Sequence, residues 1–286
     1  MPAATTHVEF AKDVYKALDP KLQALITNRN MFLLGSQGPD VFFFSRASLL
    51  PRSLKRYGNL MHERGVAESV AYFDRYGMKD DDLRSYFFGF LCHYALDSIA
   101  HPLICAIAAS EHKETGIHEG ESHVTMEGDI DVWILNQKNR DIWSYNVFED
   151  LKVDKESRRK LTNLYHGLFK SIYHLEVPKR LISETIQQIS FWTAFLKPGR
   201  IKQGIIYKTE NMLRLPHSFS GMMLFGHDSR KVINEAHVAY PLAFDRTRTT
   251  DASFPQLYNE AIGFAKKIIA GHSDEDFRVN FNGEPY

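Results

Sequence analysis

The sequence predicts an all-α protein, organised as a single multi-helix bundle over residues 1–286. Apolar residues recur every three or four positions along most of the chain, as they do on one face of a helix. No run of alternating apolar and polar residues indicates a strand, and the chain has no internal repeat or low-complexity tail. No segment has the composition of a linker, so one domain is the simplest organisation.

Composition narrows the class of protein. With 286 residues the chain is long enough to bury a sizeable core. Its 35 basic residues are balanced by 35 acidic ones, so no global charge bias favours a nucleic-acid partner. Cys92 and Cys105 would lie about 20 Å apart on one helix, too far to form a disulfide. The N-terminus, MPAATTHVEF, has no basic region followed by an apolar one, so we expect no secretory signal and a cytoplasmic location.

Helices are expected to account for most of the chain. The first is expected to begin after a cap at Thr6 and to end at the Asp19-Pro20 pair. The longest is expected to kink at Pro102. The predicted helices cover residues 7–18, 21–34, 66–75, 79–109, 121–136, 154–175, 178–195, 202–213 and 254–270.

Two irregular regions are predicted between these helices. In the turn GSQGPD, Pro39 restricts Gly38 to a non-helical conformation, and Asp40 follows directly. Residues 45–65 contain a proline and two glycines without clean periodicity. We therefore predict that they are mostly loop, with His62 inside that loop.

The stretch FFGFLCHYALDSIAHP at 87–102 is almost wholly apolar but carries His93, Asp97 and His101 at a spacing of four. On a helix that spacing puts all three on one face, each about 6 Å along the axis from the last. Buried polar groups need partners, and a carboxylate with two imidazoles is a metal-ligand set. The alternative is a core helix in which they only hydrogen-bond to one another. Residues 86–109 are also apolar enough for a membrane span, but their polar side chains favour a buried helix.

Eight candidate ligands lie on five separate segments, which is more than one tetrahedral ion needs. They suit a cluster of two or three ions, with carboxylates bridging between imidazole-bound metals. Oxygen and nitrogen donors without a thiolate favour zinc, with manganese, iron or nickel as alternatives. The candidates are His7, Asp40, His62, His93, Asp97, His101, His123 and Glu127.

Four donors outside the triplet also have an interpretation that involves no metal. A histidine near a terminus, such as His7, is more often a surface residue, and Asp40 could be an ordinary turn or cap residue. His123 and Glu127, four residues apart, could be an exposed ion pair. Two neighbouring histidines compete with His123 for a ligand role. These competitors are His112 and His118, and the histidines that we interpret as structural are His166, His174, His217, His227, His237 and His272.

Five motifs occur in order along the first 131 residues. They are THVEFAKDVYKAL at 6–18, GSQGPDVFF at 35–43, His62, GFLCHYALDSIAHPL at 89–103 and HVTMEGDID at 123–131. As an ordered series they resemble the zinc-dependent phospholipase C family, which includes the catalytic domain of glycosylphosphatidylinositol phospholipase D. Near the end, SFPQLYNEAIGFAKKII at 253–269 is similar to a helical segment common in such proteins.

This resemblance implies an all-helical fold with a polynuclear zinc site that hydrolyses phosphate esters. S1/P1-type nucleases share the arrangement more distantly. All eight candidates match the family's metal ligands position by position. In the secreted phospholipases an N-terminal tryptophan helps to bind one ion, whereas here six residues beginning Met-Pro precede His7, so the resemblance leaves the number of ions at two or three. The four-residue spacing of Asp97 and His101 resembles the phospholipase D branch and intracellular relatives.

The resulting prediction is metal-assisted hydrolysis of a phosphate ester. Asp40 is the candidate that orients or deprotonates the attacking water, and Asp131, one turn beyond Glu127, is expected to orient a ligand. We expect a phosphate-ester small molecule or a phospholipid head group as substrate, transient membrane contact for a lipid, and no stable nucleic-acid partner. The alternatives are a soluble-substrate phosphatase, an S1/P1-like nuclease and a non-enzymatic protein with a structural metal. Only the basic stretch KRYGNLMHERG at 55–65 favours the nuclease.

Overall fold

Helices dominate the computed structural model, which describes residues 4–48, 51–197, 199–214, 220 and 229–286. The predicted all-α fold is confirmed. The short strands β1 (Tyr240–Pro241) and β2 (Thr249–Thr250) pair antiparallel, which the sequence did not indicate. The helices are α1 (Ala4–Ala17), α2 (Pro20–Gln23), α3 (Arg29–Gly35), α4 (Lys55–Glu63), α5 (Val66–Gly77), α6 (Asp81–Thr115), α7 (Glu119–Gln137), α8 (Val147–Leu151), α9 (Lys155–Ser171), α10 (Lys179–Phe195), α11 (Arg200–Leu213), α12 (Arg230–Ile233) and α13 (Phe254–Ala270), with 3-10 helices at Gly38–Ser48 and Asp274–Phe277.

The centre of the fold is α6, whose 35 residues extend over about 52 Å. Asp80 caps its N-terminus by accepting hydrogen bonds from the N–H groups of Asp82 and Leu83. Helices α1, α3, α7 and α13 pack around it. Within the described residues, α6 alone is long and apolar enough to cross a membrane, but 83% of its most apolar stretch is buried inside the protein. It is therefore the core helix that the sequence predicted.

Pro102 lies inside α6, which continues to Thr115 instead of ending near residue 109. A proline has no N–H to donate to the carbonyl four residues earlier, here that of Ser98. Gly283 packs against this point, because a Cβ added to it would lie 2.6 Å from the Ser98 carbonyl oxygen and 2.5 Å from Pro102. The C-terminal segment therefore lies directly against the interrupted turn of α6.

A close helix crossing joins α3 to α6. A Cβ added to Gly35 would lie 2.1 Å from the Tyr86 carbonyl oxygen, and one added to Gly89 would lie 2.0 Å from the Phe32 carbonyl oxygen. Only glycine allows the two backbones to approach this closely. The crossing places the turn that follows α3 beside His93.

The prediction of one helix over residues 21–34 is wrong, because the chain forms α2 and α3 with a break between them. Asn28 explains the break. Its side-chain oxygen accepts a hydrogen bond from the Met31 N–H, and its side-chain amide donates to Asp82. This N-cap arrangement holds Asn28 in an extended conformation that cannot continue a helix.

The prediction that residues 45–65 are mostly loop is also wrong, because α4 occupies the second half and carries His62. The glycine in its middle obscured the helical pattern. A Cβ on Gly58 would lie 3.3 Å from the ring of Phe43, so the glycine lets α4 pack closely against the 3-10 helix before it. Tertiary packing here outweighs the low helix propensity of glycine.

The start of α1 also differs from the prediction. The helix begins at Ala4, so Thr6 lies in its first turn and is not its cap. A carboxylate from another helix, that of Asp131, accepts the hydrogen bonds that a cap would accept. Most other predicted helices agree with the structure to within a few residues, although α9 ends at Ser171 instead of near residue 175.

One cluster of buried apolar side chains extends from Val8 to Phe281 within the described part of the chain. Phe73 meets the rings of both Tyr86 and Tyr165 edge to face, and the hydroxyl oxygens of the two tyrosines lie 2.5 Å apart. Because the cluster reaches both ends of the described chain, residues distant in sequence enclose the centre of α6.

Candidate metal centre

The structure brings all eight predicted donors together, and each has another of them within hydrogen-bond or ion-pair distance. They form three groups, and the donor atoms of each group lie within 4.8 Å of one another. The first group contains His7, Asp40 and His93, the second contains His62, His93 and Asp97, and the third contains His101, His123 and Glu127.

Asp97 is the centre of the cluster. Its Oδ2 atom lies 3.0 Å from Nε2 of His93 and 3.8 Å from Nε2 of His62. Its Oδ1 atom lies 3.3 Å from Nε2 of His7 and 3.4 Å from Nε2 of His101. One buried carboxylate thus faces four imidazoles from three helices, with a different pair at each oxygen.

Glu127, on α7, contacts His101, the last residue of the triplet on α6. Its Oε1 atom lies 3.4 Å from Nε2 of His101 and 3.1 Å from Nε2 of His123. The His123 side chain is 22% exposed, whereas the other donors are almost fully buried. The third group is therefore the one nearest to solvent.

Backbone carbonyls orient two of the imidazoles. Nδ1 of His93 lies 3.0 Å from the Ser36 carbonyl oxygen, and Nδ1 of His62 lies 2.8 Å from that of Gly58. When Nδ1–H donates to a carbonyl, the lone pair of Nε2 is left free to bind a metal. Gly38 packs against the other side of His93, since a Cβ on it would lie 2.2 Å from Cδ2 of the ring.

Several buried polar atoms at the centre make no hydrogen bond within the described residues. Nδ1 of His7 and Nδ1 of His101 are two of them, and Nε2 of His93 and Oδ2 of Asp97 face each other as an ion pair without the geometry of a hydrogen bond. Leaving such atoms unsatisfied costs about 1–3 kcal/mol each. A cavity of about 10 Å³, lined by Asp97, His101 and Glu127 among others, has room for one water-sized sphere. The donors, the unsatisfied atoms and the small cavity all fit a bound cation.

The charge balance of the cluster also favours a cation. Burial by itself lowers the pKa of His101, but the charge of Asp97 and the hydrogen bond to Glu127 outweigh it and raise the pKa to about 9. Burial raises the pKa of Asp40, but the hydrogen bond with His62 helps to lower it to about 2. These carboxylates are ionised at neutral pH and attract positive charge, which a metal ion supplies.

The surroundings of Asp40 differ from those expected. The turn that leads into it was predicted to be irregular, but Asp40 lies on the 3-10 helix Gly38–Ser48 and is 5% exposed. The left-handed conformation of Gly38 and the fixed φ of Pro39 turn the chain at this point, and the Asp40 N–H donates to the Gln37 carbonyl. Its carboxylate then faces His62 at 3.2 Å.

Asp131 acts on the backbone before His7 instead of orienting an imidazole directly. Its Oδ1 atom accepts hydrogen bonds from the N–H and the Oγ1–H of Thr6, and Oδ2 accepts one from the Thr5 N–H. Burial raises the pKa of Asp131 to about 7, although the hydrogen bonds from Thr6 and Thr5 favour its charged form. Asp131 fixes the beginning of the helix that carries His7.

The competing histidines have other roles. Nδ1 of His118 accepts a hydrogen bond from the Gly120 N–H and caps α7, while Nδ1 of His112 lies 2.7 Å from the Ile117 carbonyl oxygen. Of His112, His118 and His123, only His123 therefore faces Glu127. Among the histidines interpreted as structural, His166, His237 and His272 contact backbone carbonyls, and His217 and His227 lie outside the described residues.

Sequence reasoning missed two residues at the site. The ring of Phe281 lies 5.1 Å from that of His62 and 5.4 Å from that of His93, and its N–H donates to the His62 carbonyl. The Sγ atom of Cys105 lies 3.8 Å from Nδ1 of His123. Phe281 is too far along the chain for local spacing to reveal it, but Cys105 lies one turn beyond His101 and could have been found.

A much larger cavity, about 560 Å³, lies elsewhere, between α1 and α3. Its lining includes Lys12, Arg29, Phe32 and Arg140, and none of the eight predicted donors. Large cavities are the usual first candidates for an active site. Here the chemistry of the side chains favours the smaller cavity, because only there do metal-binding atoms converge.

Comparison with known proteins agrees with this interpretation. A family model described as zinc-dependent phospholipase C matches residues 6–178, more than half of the chain. No curated protein and no solved structure shows a significant match. The matched segment contains all eight converging donors. The chain therefore belongs to the zinc-dependent phospholipase C family.

Proposed function

We propose that the protein is a zinc-dependent phosphoesterase that hydrolyses a phosphate ester at the cluster around Asp97. The observation that carries the proposal is the contact of this one buried carboxylate with four imidazoles, because such a set holds metal ions well and serves a core poorly. Membership of a family of metal-dependent phosphoesterases supports the same reaction.

We infer two ions from the donor atoms. Nδ1 of His93 faces the Ser36 carbonyl, so only Nε2 is left for a metal, and one nitrogen lone pair binds one ion. The first and second groups share that nitrogen and therefore form one centre, while the third group forms the other. Asp97 lies between the donors of both centres, with Oδ2 toward His93 and Oδ1 toward His7 and His101, and would help to hold both ions.

Bound zinc and Asp40 would have different roles in hydrolysis. Bound zinc supplies a water of lowered pKa and offsets charge on the phosphate oxygens. Asp40 keeps its place as the residue that orients the attacking water. Its carboxylate lies 3.2 Å from Nε2 of His62, a donor of the same centre, which suits it to accept a hydrogen bond from that water.

A phosphate-ester small molecule or a phospholipid head group remains the proposed substrate class. The nuclease alternative needs exposed aromatic faces beside basic residues, because bases bind by stacking. In the basic stretch 55–65, Tyr57 is buried and the Arg56 guanidinium lies 4.6 Å from the centroid of its ring. This stretch offers no free aromatic face for a base. Cytoplasmic location stays a prediction.

The test combines metal analysis with hydrolysis of phosphatidylcholine, a phosphodiester and a phosphomonoester. We expect Asp97→Asn to lose bound zinc and to slow hydrolysis by about 100-fold or more. Asp74→Asn, a change to an exposed carboxylate on α5, is the control and should behave like wild type. Unchanged zinc content in Asp97→Asn would overturn the shared site. Zinc binding without hydrolysis of any substrate would favour the structural-metal alternative.

A further inference from the structure

Helix α11 has its polar and apolar faces reversed relative to a helix that packs on a core. Residues 201, 205, 208 and 212 share one face at helical spacing. On that face Ile201 is 83% exposed, Ile205 61% and Met212 76%. On the opposite face Glu210 is only 4% exposed, and its carboxylate accepts hydrogen bonds from the N–H and Oγ–H of Ser220.

The exposed stripe continues onto the end of α10. Lys202 connects the two helices, because its ammonium lies 5.3 Å from the ring centroid of Phe195 and donates to the Phe195 carbonyl. The ring of Trp192 meets those of both Phe195 and Phe191 edge to face. The apolar patch consists of the exposed residues Phe191, Phe195, Ile201, Ile205, Met212 and Leu213. Six large apolar side chains exposed on two consecutive helices indicate a surface that is covered by something else.

The segment that carries most of the patch has an excess of positive charge. Between residues 197 and 214 the sequence has five basic residues and one acidic residue, and the acidic one, Glu210, is turned inward. The chain as a whole has a net charge of zero, so this local excess is not a consequence of composition. An apolar face edged with cations is complementary to an anionic lipid surface, which attracts basic residues electrostatically.

Lys208 distinguishes a membrane from a protein partner. It lies on the exposed face between Ile205 and Met212, in the middle of the apolar stripe. A protein interface that covered the stripe would remove the ammonium from water, and lysine is depleted from interface cores for this reason. At a membrane the same side chain extends its ammonium to the phosphate layer while its methylenes stay among lipid.

We propose that α11 and the end of α10 dock the protein on an anionic membrane surface, with the apolar patch at the boundary of head groups and acyl chains. The purpose of docking rests on the proposed function, because it would bring the metal centre to phospholipid head groups. Binding and hydrolysis are separate events, so each can be measured without the other.

The test is co-sedimentation with phosphatidylcholine vesicles, with and without phosphatidylserine. We expect binding to the phosphatidylserine vesicles that weakens as salt is added. The double variant Ile205→Ser/Met212→Ser should bind about tenfold more weakly or worse, because two large apolar side chains no longer leave water. Lys208→Glu should weaken binding only to the anionic vesicles. Leu25→Ser, an exposed leucine outside the patch, is the matched control and should bind like wild type.

Hydrolysis of a soluble short-chain phosphodiester by the same variants should equal that of wild type, because none of these residues lies in the metal centre. Failure of wild type to bind vesicles, or full binding by the double variant, would overturn the docking surface. A wild-type dimer that the double variant converts to a monomer would also overturn it, in favour of an interface between copies. Vesicle binding without hydrolysis of any substrate would contradict the proposed function alone.

Discussion

At the scale of single residues, Gly38 shows how a turn controls a metal ligand. Its φ of +48° lies in the left-handed region, which agrees with the prediction that Pro39 keeps it out of the helical region. The sequence did not reveal the neighbour of this glycine. The His93 ring occupies the place that a side chain on residue 38 would fill.

We predict that Gly38→Ala weakens zinc binding and lowers the free energy of unfolding by about 1–2 kcal/mol from backbone strain alone. The added methyl group must also displace the His93 imidazole. Isothermal titration with zinc and urea denaturation measure the two effects. Gly263→Ala, in α13, is the control, since nothing lies within 4 Å of its added Cβ and alanine favours a helix. Zinc affinity equal to that of wild type in Gly38→Ala would show that His93 is not held in this way.

At the scale of secondary structure, α7 holds α1 in place through the Asp131 carboxylate. Three hydrogen bonds from Thr5 and Thr6 converge on it, all in the buried interior. His7 is the next residue on α1, so the orientation of α1 sets the position of its imidazole. Asp131 thus connects α1, which carries the first predicted ligand, His7, to α7, which carries the last, Glu127.

Asp131→Ala is expected to reduce the free energy of unfolding by about 2–3 kcal/mol, because buried N–H groups lose their acceptor. Zinc affinity should also fall, although Asp131 is not among the predicted ligands. Thr6→Ser keeps the hydroxyl donor and should leave zinc affinity unchanged. Thermal unfolding and zinc titration of both variants provide the measurement. A loss of stability without any loss of zinc affinity would show that α1 is positioned by other contacts.

The sequence was informative about this site where spacing is local. His93, Asp97 and His101, and likewise His123 and Glu127, are four residues apart on continuous helices, so their shared faces could be read directly. The positions of α4 and of the break after α2 depend on tertiary contacts, such as Gly58 against Phe43 and Asn28 against Asp82. No local pattern contains such contacts, and for the same reason Phe281 was missed.

At the scale of the whole molecule, a charged network ties the start of α6 to α9. The Lys160 ammonium lies 2.8 Å from an oxygen of Asp82 and 2.9 Å from one of Asp80. Burial raises the pKa of Asp82, but the hydrogen bond and charge of Lys160, helped by Asn28, lower it below its ordinary value of 3.8. A lowered acid pKa in the folded state stabilises the protein above that value and loses its effect as the pH falls.

Lys160→Met is expected to lower the free energy of unfolding by about 1 kcal/mol at pH 7. The difference from wild type should shrink as the pH falls below about 4, where the carboxyls become protonated. Urea denaturation at a series of pH values measures both quantities. Lys170→Met removes an exposed pair with Glu176 and should cause no measurable change. A difference that stays constant with pH would mean that Lys160 stabilises by packing and not by charge.

Phe281 makes the enclosure of the site depend on a distant part of the sequence. All eight predicted donors lie between His7 and Glu127, whereas the ring that covers His62 and His93 comes from the last few residues of the sequence. Local detachment of the segment that carries Phe281 would therefore uncover these two imidazoles without unfolding the helices that carry the donors. Providing the donors and enclosing them are in this sense tasks of different parts of the chain.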